Sequence, residues 1–236
     1  MLEIKNITYS FGQHKILDKL NLSFDIGKVV GVVGSNGVGK TTLFRIMCQI
    51  YSLQSGSITL FGKKLIPTDI VFMPTEPFFY PFMKGSEYIK IVVNTKNELE
   101  KANLYGKILD LPLNDLVDNY STGMRKKLAF SALFALNKPA IILDEPYNGV
   151  DLDSNEIIKH LIRTQTGDRT VILSSHILST ITDICHSVYH LTENHEVSYY
   201  SQDHFRELEQ SLSNATKSKL KQLDTSIGET KSEFQQ

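Results

Sequence analysis

The run Gly34-Ser35-Asn36-Gly37-Val38-Gly39-Lys40-Thr41-Thr42 follows directly on the apolar stretch Val29 to Val33 and precedes a helix expected over Leu43 to Ile50. Few folds accommodate that order. Glycines let the backbone curl with its N–H groups pointing inward, the helix that follows presents the positive end of its dipole, and Lys40 adds a mobile full charge. A concavity of that kind, set between a buried strand and a helix, fits a nucleoside triphosphate and makes the chain a nucleotide-binding α/β protein.

At 236 residues the chain has room for one substantial core with an added lobe. Its 25 Lys plus Arg against 26 Asp plus Glu leave a formal net charge of −1, which disfavours nonspecific binding of nucleic acid, and none is expected among its partners. Cys48 and Cys185 stand far apart in no metal-ligand spacing and read as buried thiols of a reducing cytoplasm. The N-terminus begins an alternating strand at once, without the basic start and apolar stretch of a signal peptide. No segment reaches the ~18 uncharged apolar residues of a membrane-spanning helix, so the chain is expected to be soluble and to meet a membrane only through a partner.

Leu2 to Phe11 and Leu17 to Ile26 alternate apolar and polar residues, most cleanly at Leu20, Leu22, Phe24 and Ile26, as half-buried antiparallel strands do. Val29 to Val33, Ala140 to Leu143 and Val171 to Leu173 are instead short uninterrupted apolar runs, the pattern of parallel strands covered on both faces. Between Thr75 and about Asn137 three helices are expected, over Gly85 to Val93, Asn97 to Leu109 and Thr122 to Leu136. Pro74, Pro77 and Pro81 mark the entrance to this lobe. The fold class is therefore α/β: a parallel-sheet core, an antiparallel β subdomain and a helical subdomain at about 76–137. Residues 1–200 are expected to form this nucleotide-binding domain, and 201–236, with Phe205, Leu208, Leu212, Leu220, Leu223 and Ile227 as its large apolar anchors, a polar tail that is helical or frayed.

Chemistry enters again about 100 residues after the loop, where the apolar strand Ile141-Ile142-Leu143 ends in Asp144 and Glu145. At a strand end the chain turns, so both carboxylates can face the nucleotide. Asp144 suits a Mg2+ shell completed by the Thr41 hydroxyl, phosphate oxygens and waters, and Glu145 suits a water-orienting or proton-accepting role at the γ-phosphate. Upstream, Tyr120-Ser121-Thr122-Gly123-Met124-Arg125 places Ser121 as the cap of a helix, a second anion-binding arrangement in the same chain.

With these motifs in this order, residues 2 to 200 resemble the ATP-binding-cassette ATPase family. Gly34 to Thr42 is similar to its Walker A loop, Ser121 to Arg125 to its signature, Ile141 to Glu145 to its Walker B strand, Gly149-Val150-Asp151 to its D-loop and His176 to its switch histidine. The resemblance implies ATP and Mg2+ as ligands, Lys40, Glu145 and His176 as the catalytic set, and Ser121 and Gly123 as contacts to the γ-phosphate held by a second copy. Asp151 equally reads as the cap of a helix starting near Leu152. Phe11 matches the position where the family stacks a ring on adenine, with Tyr9 as the competing ring and a core role as the other reading.

Two positions depart from the family pattern. The signature reads Ser-Thr-Gly-Met-Arg rather than Ser-Gly-Gly-Gln, keeping Ser121 and Gly123. Where the family places Gln, or sometimes Glu, near the metal, the strand Ile70 to Met73 leads through Pro74 to Thr75, which is shorter, with Glu76 next. Either Glu76 substitutes, water bridges the gap, or the communication that the family routes through this residue is altered. The resemblance implies a transporter subunit held to the inner face of the cell membrane by separate permease subunits, working as a homodimer or with a paralogous cassette. The signature variant and Pro74-Thr75-Glu76-Pro77-Phe78-Phe79-Tyr80-Pro81 resemble exporters of drugs, antimicrobial peptides and related amphipathic molecules; the aromatic segment through Phe82 suits permease docking, with core packing of some of its rings as the other reading. The alternative is a soluble cassette acting on an intracellular assembly or repair machine.

Overall fold

The computed structural model describes residues 1–175 and 178–213, and the statements that follow concern these. Strands β1 (Leu2–Phe11), β2 (His14–Phe24), β4 (Ser57–Leu60) and β5 (Lys63–Lys64) form an antiparallel layer in the order β2-β1-β4-β5. β3 (Val29–Val33), β6 (Ile70–Met73), β7 (Ala140–Asp144), β8 (Thr170–Ser174), β9 (Ser187–Leu191) and β10 (Val197–Ser201) form the second sheet, ordered β10-β9-β3-β8-β7-β6. All its neighbours pair parallel except the edge pair β10–β9, which is antiparallel.

The uninterrupted apolar runs have a structural reason. Along β3, Val29 and Val33 enter one apolar cluster while Val30 and Val32 enter another on the opposite face. Ile141 and Leu143 of β7 and Val171 and Leu173 of β8 join the first, and Ala140, Ile142 and Ile172 the second. Because successive side chains alternate faces, a strand buried on both sides needs an apolar residue at every position. In β2 only one face is covered, so Leu20, Leu22 and Phe24 are buried while Asn21 and Ser23 are exposed.

The helices α1 (Lys40–Met47), α2 (Gly85–Val92), α3 (Lys96–Ile108), α4 (Thr122–Ala135), α5 (Leu152–Gln165) and α6 (Leu178–Ile184) complete the layers. α2, α3 and α4 form the expected helical lobe, each within a few residues of its expected bounds. Thr95 caps α3 by accepting from the Glu98 N–H at 3.2 Å, and Glu98 accepts in return from the Thr95 N–H at 3.1 Å. Glu98 also takes the Asn94 and Asn137 N–H groups, each at 2.9 Å, and so ties the start of α3 to the chain leaving α4. Burial alone would raise this carboxyl, but the N–H groups of Asn137, Asn94 and Thr95 hold it below the usual carboxylate range.

α4 is buried nearly all round, with Leu128, Ala129, Phe130 and Ala132 fully enclosed, which is what its almost continuous apolar run requires. Of the segment expected as a polar tail, residues 205–213 are helical, with Phe205 and Leu208 in the first cluster and Leu212 packed against it. Residues 214–236 lie outside the described residues. Cys185 is buried, which raises its thiol, whereas Cys48 is only partly enclosed and its thiol is still pushed up to about 12 by desolvation. Among the described residues no helix is long and apolar enough to cross a membrane.

Candidate functional site

The glycine-rich run leaves β3 at Val33 and enters α1 at Lys40. Gly39 caps that helix with φ +110, and a Cβ built there would meet Ile16 Cγ2 at 2.9 Å and Leu17 Cδ2 at 3.0 Å. Both conformation and space therefore require glycine at this point. Lys40 folds back over the loop, its Nζ donating to the carbonyls of Gly34 at 2.8 Å and Ser35 at 3.0 Å. Desolvation pushes the ammonium below the usual lysine range, while the carboxylates of Glu145 and Asp144 pull the other way.

β7 delivers Asp144 to the same place. This residue is 1% exposed, yet each carboxylate oxygen is occupied. Oδ2 accepts from Thr41 Oγ1 at 2.7 Å and Thr75 Oγ1 at 3.1 Å, and Oδ1 accepts from Ser174 Oγ at 2.6 Å. Sheet register accounts for the gathering: β7 lies between β6 and β8, Asp144 pairs directly with Ser174, and Met73 pairs with Leu143. Thr75, which lacks the length of Gln, reaches the carboxylate because its strand is the immediate neighbour. Glu76, the next residue, is exposed.

Glu145 has φ +52, in the left-handed region, a conformation costing a bulky L residue on the order of 1–3 kcal/mol. Its surroundings hold it there. The Glu145 N–H donates to Ser174 Oγ at 3.0 Å, and its carbonyl accepts from Lys126 Nζ at 2.9 Å and from the Asn148 N–H at 3.3 Å. The cleft formed by the loop and these strand ends has a volume of about 570 Å³, and its walls include Lys40, Thr41, Thr75, Asp144, Glu145 and Asn148.

Ser121 caps α4, accepting from the Met124 N–H at 3.2 Å, and is exposed. Gly123 sits so close to the D-loop that a Cβ would come within 2.5 Å of the Gly149 carbonyl oxygen. Lys127, on the same helix, donates to Asp151 Oδ2 at 3.3 Å and Ser154 Oγ at 3.1 Å. Asp151 caps α5 through the Ser154 N–H at 2.8 Å, and the bonds from Ser154 hold its carboxyl at about 2. Neither Ser121 nor Gly123 lines the cleft of its own chain.

At the far end of β1, Phe11 is 48% exposed and lies edge-on to Tyr9 and Tyr51, at 5.1 and 5.6 Å between ring centroids. Tyr9, the competing ring, is buried in the second cluster. Of the aromatic segment, Phe78, Tyr80 and Phe82 are more than 60% exposed, whereas Phe79 packs on Tyr88 at 4.6 Å. His176 lies outside the described residues.

Sequence reading passed over Ser174, Lys126, Lys127 and Asn148. Ser174 carries only half of a signal: it ends an apolar strand as Asp144 does, but the pairing of those two strands is not written in the residue order. The paired lysines interrupt the apolar face of a helix that is otherwise buried, which is a sign of enclosed partners.

A model of the family described as "ABC transporter" matches residues 17–148. The bacitracin transport ATP-binding protein of Enterococcus faecalis is 30% identical over 209 residues, covering 84% of this chain and 68% of that protein. The lantibiotic transport ATP-binding protein of Streptococcus pyogenes is 30% identical over 190 residues, covering 77% and 82%. Among solved structures, an ATP-binding subunit of an ABC transporter matches with a TM-score of 0.81 at 22% identity, covering 88% of this chain and 92% of that one. A bacterial ABC transporter cassette solved as a dimer matches with a TM-score of 0.75 at 21% identity, covering 86% and 99%.

Proposed function

This chain belongs to the ABC transporter family, and on that premise we propose that its cassette closes head to tail on a second cassette, with two ATP molecules sandwiched between them. It is an ATP-binding subunit and an ATPase whose hydrolysis powers transport. In the proposed assembly one protomer's loop and Lys40 grip each triphosphate, the exposed ring of Phe11 stacks on the adenine, and the other protomer's Ser121 and Gly123 cover the γ-phosphate. One observation carries this reading. The cleft of a single chain contains the loop, Thr41, Asp144 and Glu145 but neither Ser121 nor Gly123, while Ser121 and Thr122 at the capped start of α4 are exposed and Gly123 lies buried just behind them. That separation supports half a site on each of two surfaces of one chain.

Cleavage follows from that arrangement. A water oriented by the Glu145 carboxylate attacks the γ-phosphorus in line, its proton passing to Glu145 as the bond to the β-phosphate bridging oxygen breaks. Lys40 offsets the charge on the phosphoryl oxygens, and loss of the bridging γ-phosphoryl group lets the protomers separate. The oxygen donors converging at Asp144 fit a magnesium ion, a hard cation that prefers one or two carboxylates, hydroxyls, waters and phosphate. Thr41 and Asp144 would hold it, with Thr75 bonded to the same carboxylate oxygen, and it would supply further neutralisation of phosphate charge. His176 and Asp151 complete the set at the γ-phosphate and at the facing protomer.

Separate permease subunits are the proposed route to the membrane, holding the cassette at the inner face of the cell membrane. The exposed rings of Phe78, Tyr80 and Phe82, a few residues beyond Thr75, support that segment as the docking surface, since movement at the nucleotide would reach it over a short stretch of chain. The relatives named for bacitracin and lantibiotic transport, with the Ser-Thr-Gly-Met signature, support export of an amphipathic peptide or drug.

Two experiments test the reading. Affinity capture from detergent-solubilised membranes is expected to recover a polytopic protein with the chain; recovery with soluble partners alone would favour an intracellular machine instead. Ser121→Ala is expected to lower turnover about tenfold while ATP affinity of the isolated protomer stays within twofold, measured by steady-state hydrolysis and equilibrium binding. A comparable loss of affinity in the protomer would put Ser121 in the wrong half of the site.

A further inference from the structure

We propose that Lys126 is a positioning residue for ATP cleavage: by holding the carbonyl of Glu145 it fixes the backbone from which that carboxylate meets the attacking water. The inference rests on the reading of Glu145 as the base.

Lys126 is 3% exposed, in a helix whose neighbouring positions Leu128, Ala129 and Phe130 are fully enclosed. An enclosed ammonium is costly and needs specific partners. Its hydrogen bond goes to a backbone carbonyl, that of Glu145 at 2.9 Å. On the other side of the same residue the N–H is held by Ser174 Oγ at 3.0 Å. With both flanking peptide groups fixed, the left-handed backbone at φ +52 is maintained and the direction of the Cα–Cβ bond is set. Ser174 alone would leave the peptide group between Glu145 and Pro146 to the weaker 3.3 Å bond from the Asn148 N–H.

A double-mutant cycle tests this, with single-turnover hydrolysis of radiolabelled ATP, equilibrium ATP binding and thermal melting recorded for each variant. Lys126→Met keeps the length and apolar bulk of the side chain but removes the donor. It is expected to slow cleavage about tenfold with ATP affinity within twofold and melting unchanged, and Lys126→Arg, which keeps a donor, is expected to recover most of the rate. In the Glu145→Gln background the same Met substitution is expected to cause no further loss, because Lys126 acts through Glu145. An equal fold-loss in both backgrounds, an unchanged rate in the parent background, or a loss that follows the melting temperature would overturn the proposal. Should the Met variant not accumulate folded, the cycle run with Lys126→Leu, which likewise removes the donor, decides by the same criteria. Failure of the base assignment is separately visible, since Glu145→Gln alone would then cleave at the parental rate.

Discussion

Glu145→Gln is expected to reduce ATP hydrolysis by about two to four orders of magnitude, the contribution usual for a positioned general base, while leaving ATP binding intact. The amide has the shape of the carboxylate and keeps the main-chain bonds to Ser174 and Lys126, so the left-handed turn should survive. What disappears is the capacity to accept the proton of the attacking water. Lys40 and the loop are untouched, so the triphosphate stays bound and uncleaved, and the assembly that depends on it should persist. Single-turnover assays report the first effect. Light scattering with and without ATP reports the second, as a stable species of doubled mass seen only with nucleotide. Cleavage at the parental rate would remove Glu145 from its assigned role.

Lys40→Ala should have the opposite profile. The ammonium is held against the carbonyls of Gly34 and Ser35, at the rim of the concavity where the β- and γ-phosphates are expected. Charge-assisted contacts of this kind contribute about 1.5–3 kcal/mol, so ATP affinity should fall roughly ten- to a hundredfold, with hydrolysis and nucleotide-dependent association lost together. Equilibrium dialysis with labelled ATP measures the change, and unaltered affinity would undo the phosphate-loop assignment. The pair of variants separates gripping from cutting, since the first holds what it cannot cleave and the second fails to hold.

The parts of this site legible in the amino-acid order are those whose chemistry is local. The loop announces itself because glycine conformations and the strand-to-helix passage are encoded within nine residues, and Asp144 with Glu145 because two carboxylates end an apolar run. Helices α2, α3 and α4 were readable from periodicity, and the start of α4 from its cap Ser121. Strand neighbourhood was not. Nothing in the order of residues says that β7 lies between β6 and β8, and that adjacency lets the short Thr75 hydroxyl reach Asp144 and brings Ser174 to both Asp144 and Glu145. The short strands β4, β5, β9 and β10 contain no uninterrupted run of three apolar residues to stand out; β5, for instance, is two exposed lysines. Phe11 shows the limit of alternation. Register shifts along β1, with Asn6 at φ +53, break the period-two pattern, so the ring ends exposed while Tyr9 is enclosed.

Odd and even side chains of β3, β7 and β8 serve different apolar clusters. Dissecting the chain into an antiparallel half and a helical half would therefore leave whichever piece kept those strands with one greasy side bare to water, and the other piece without a floor. Isolated fragments of this cassette are poor candidates for independent building blocks, and a lesion on either side of the central layer reaches the opposite side through the strands both sides own.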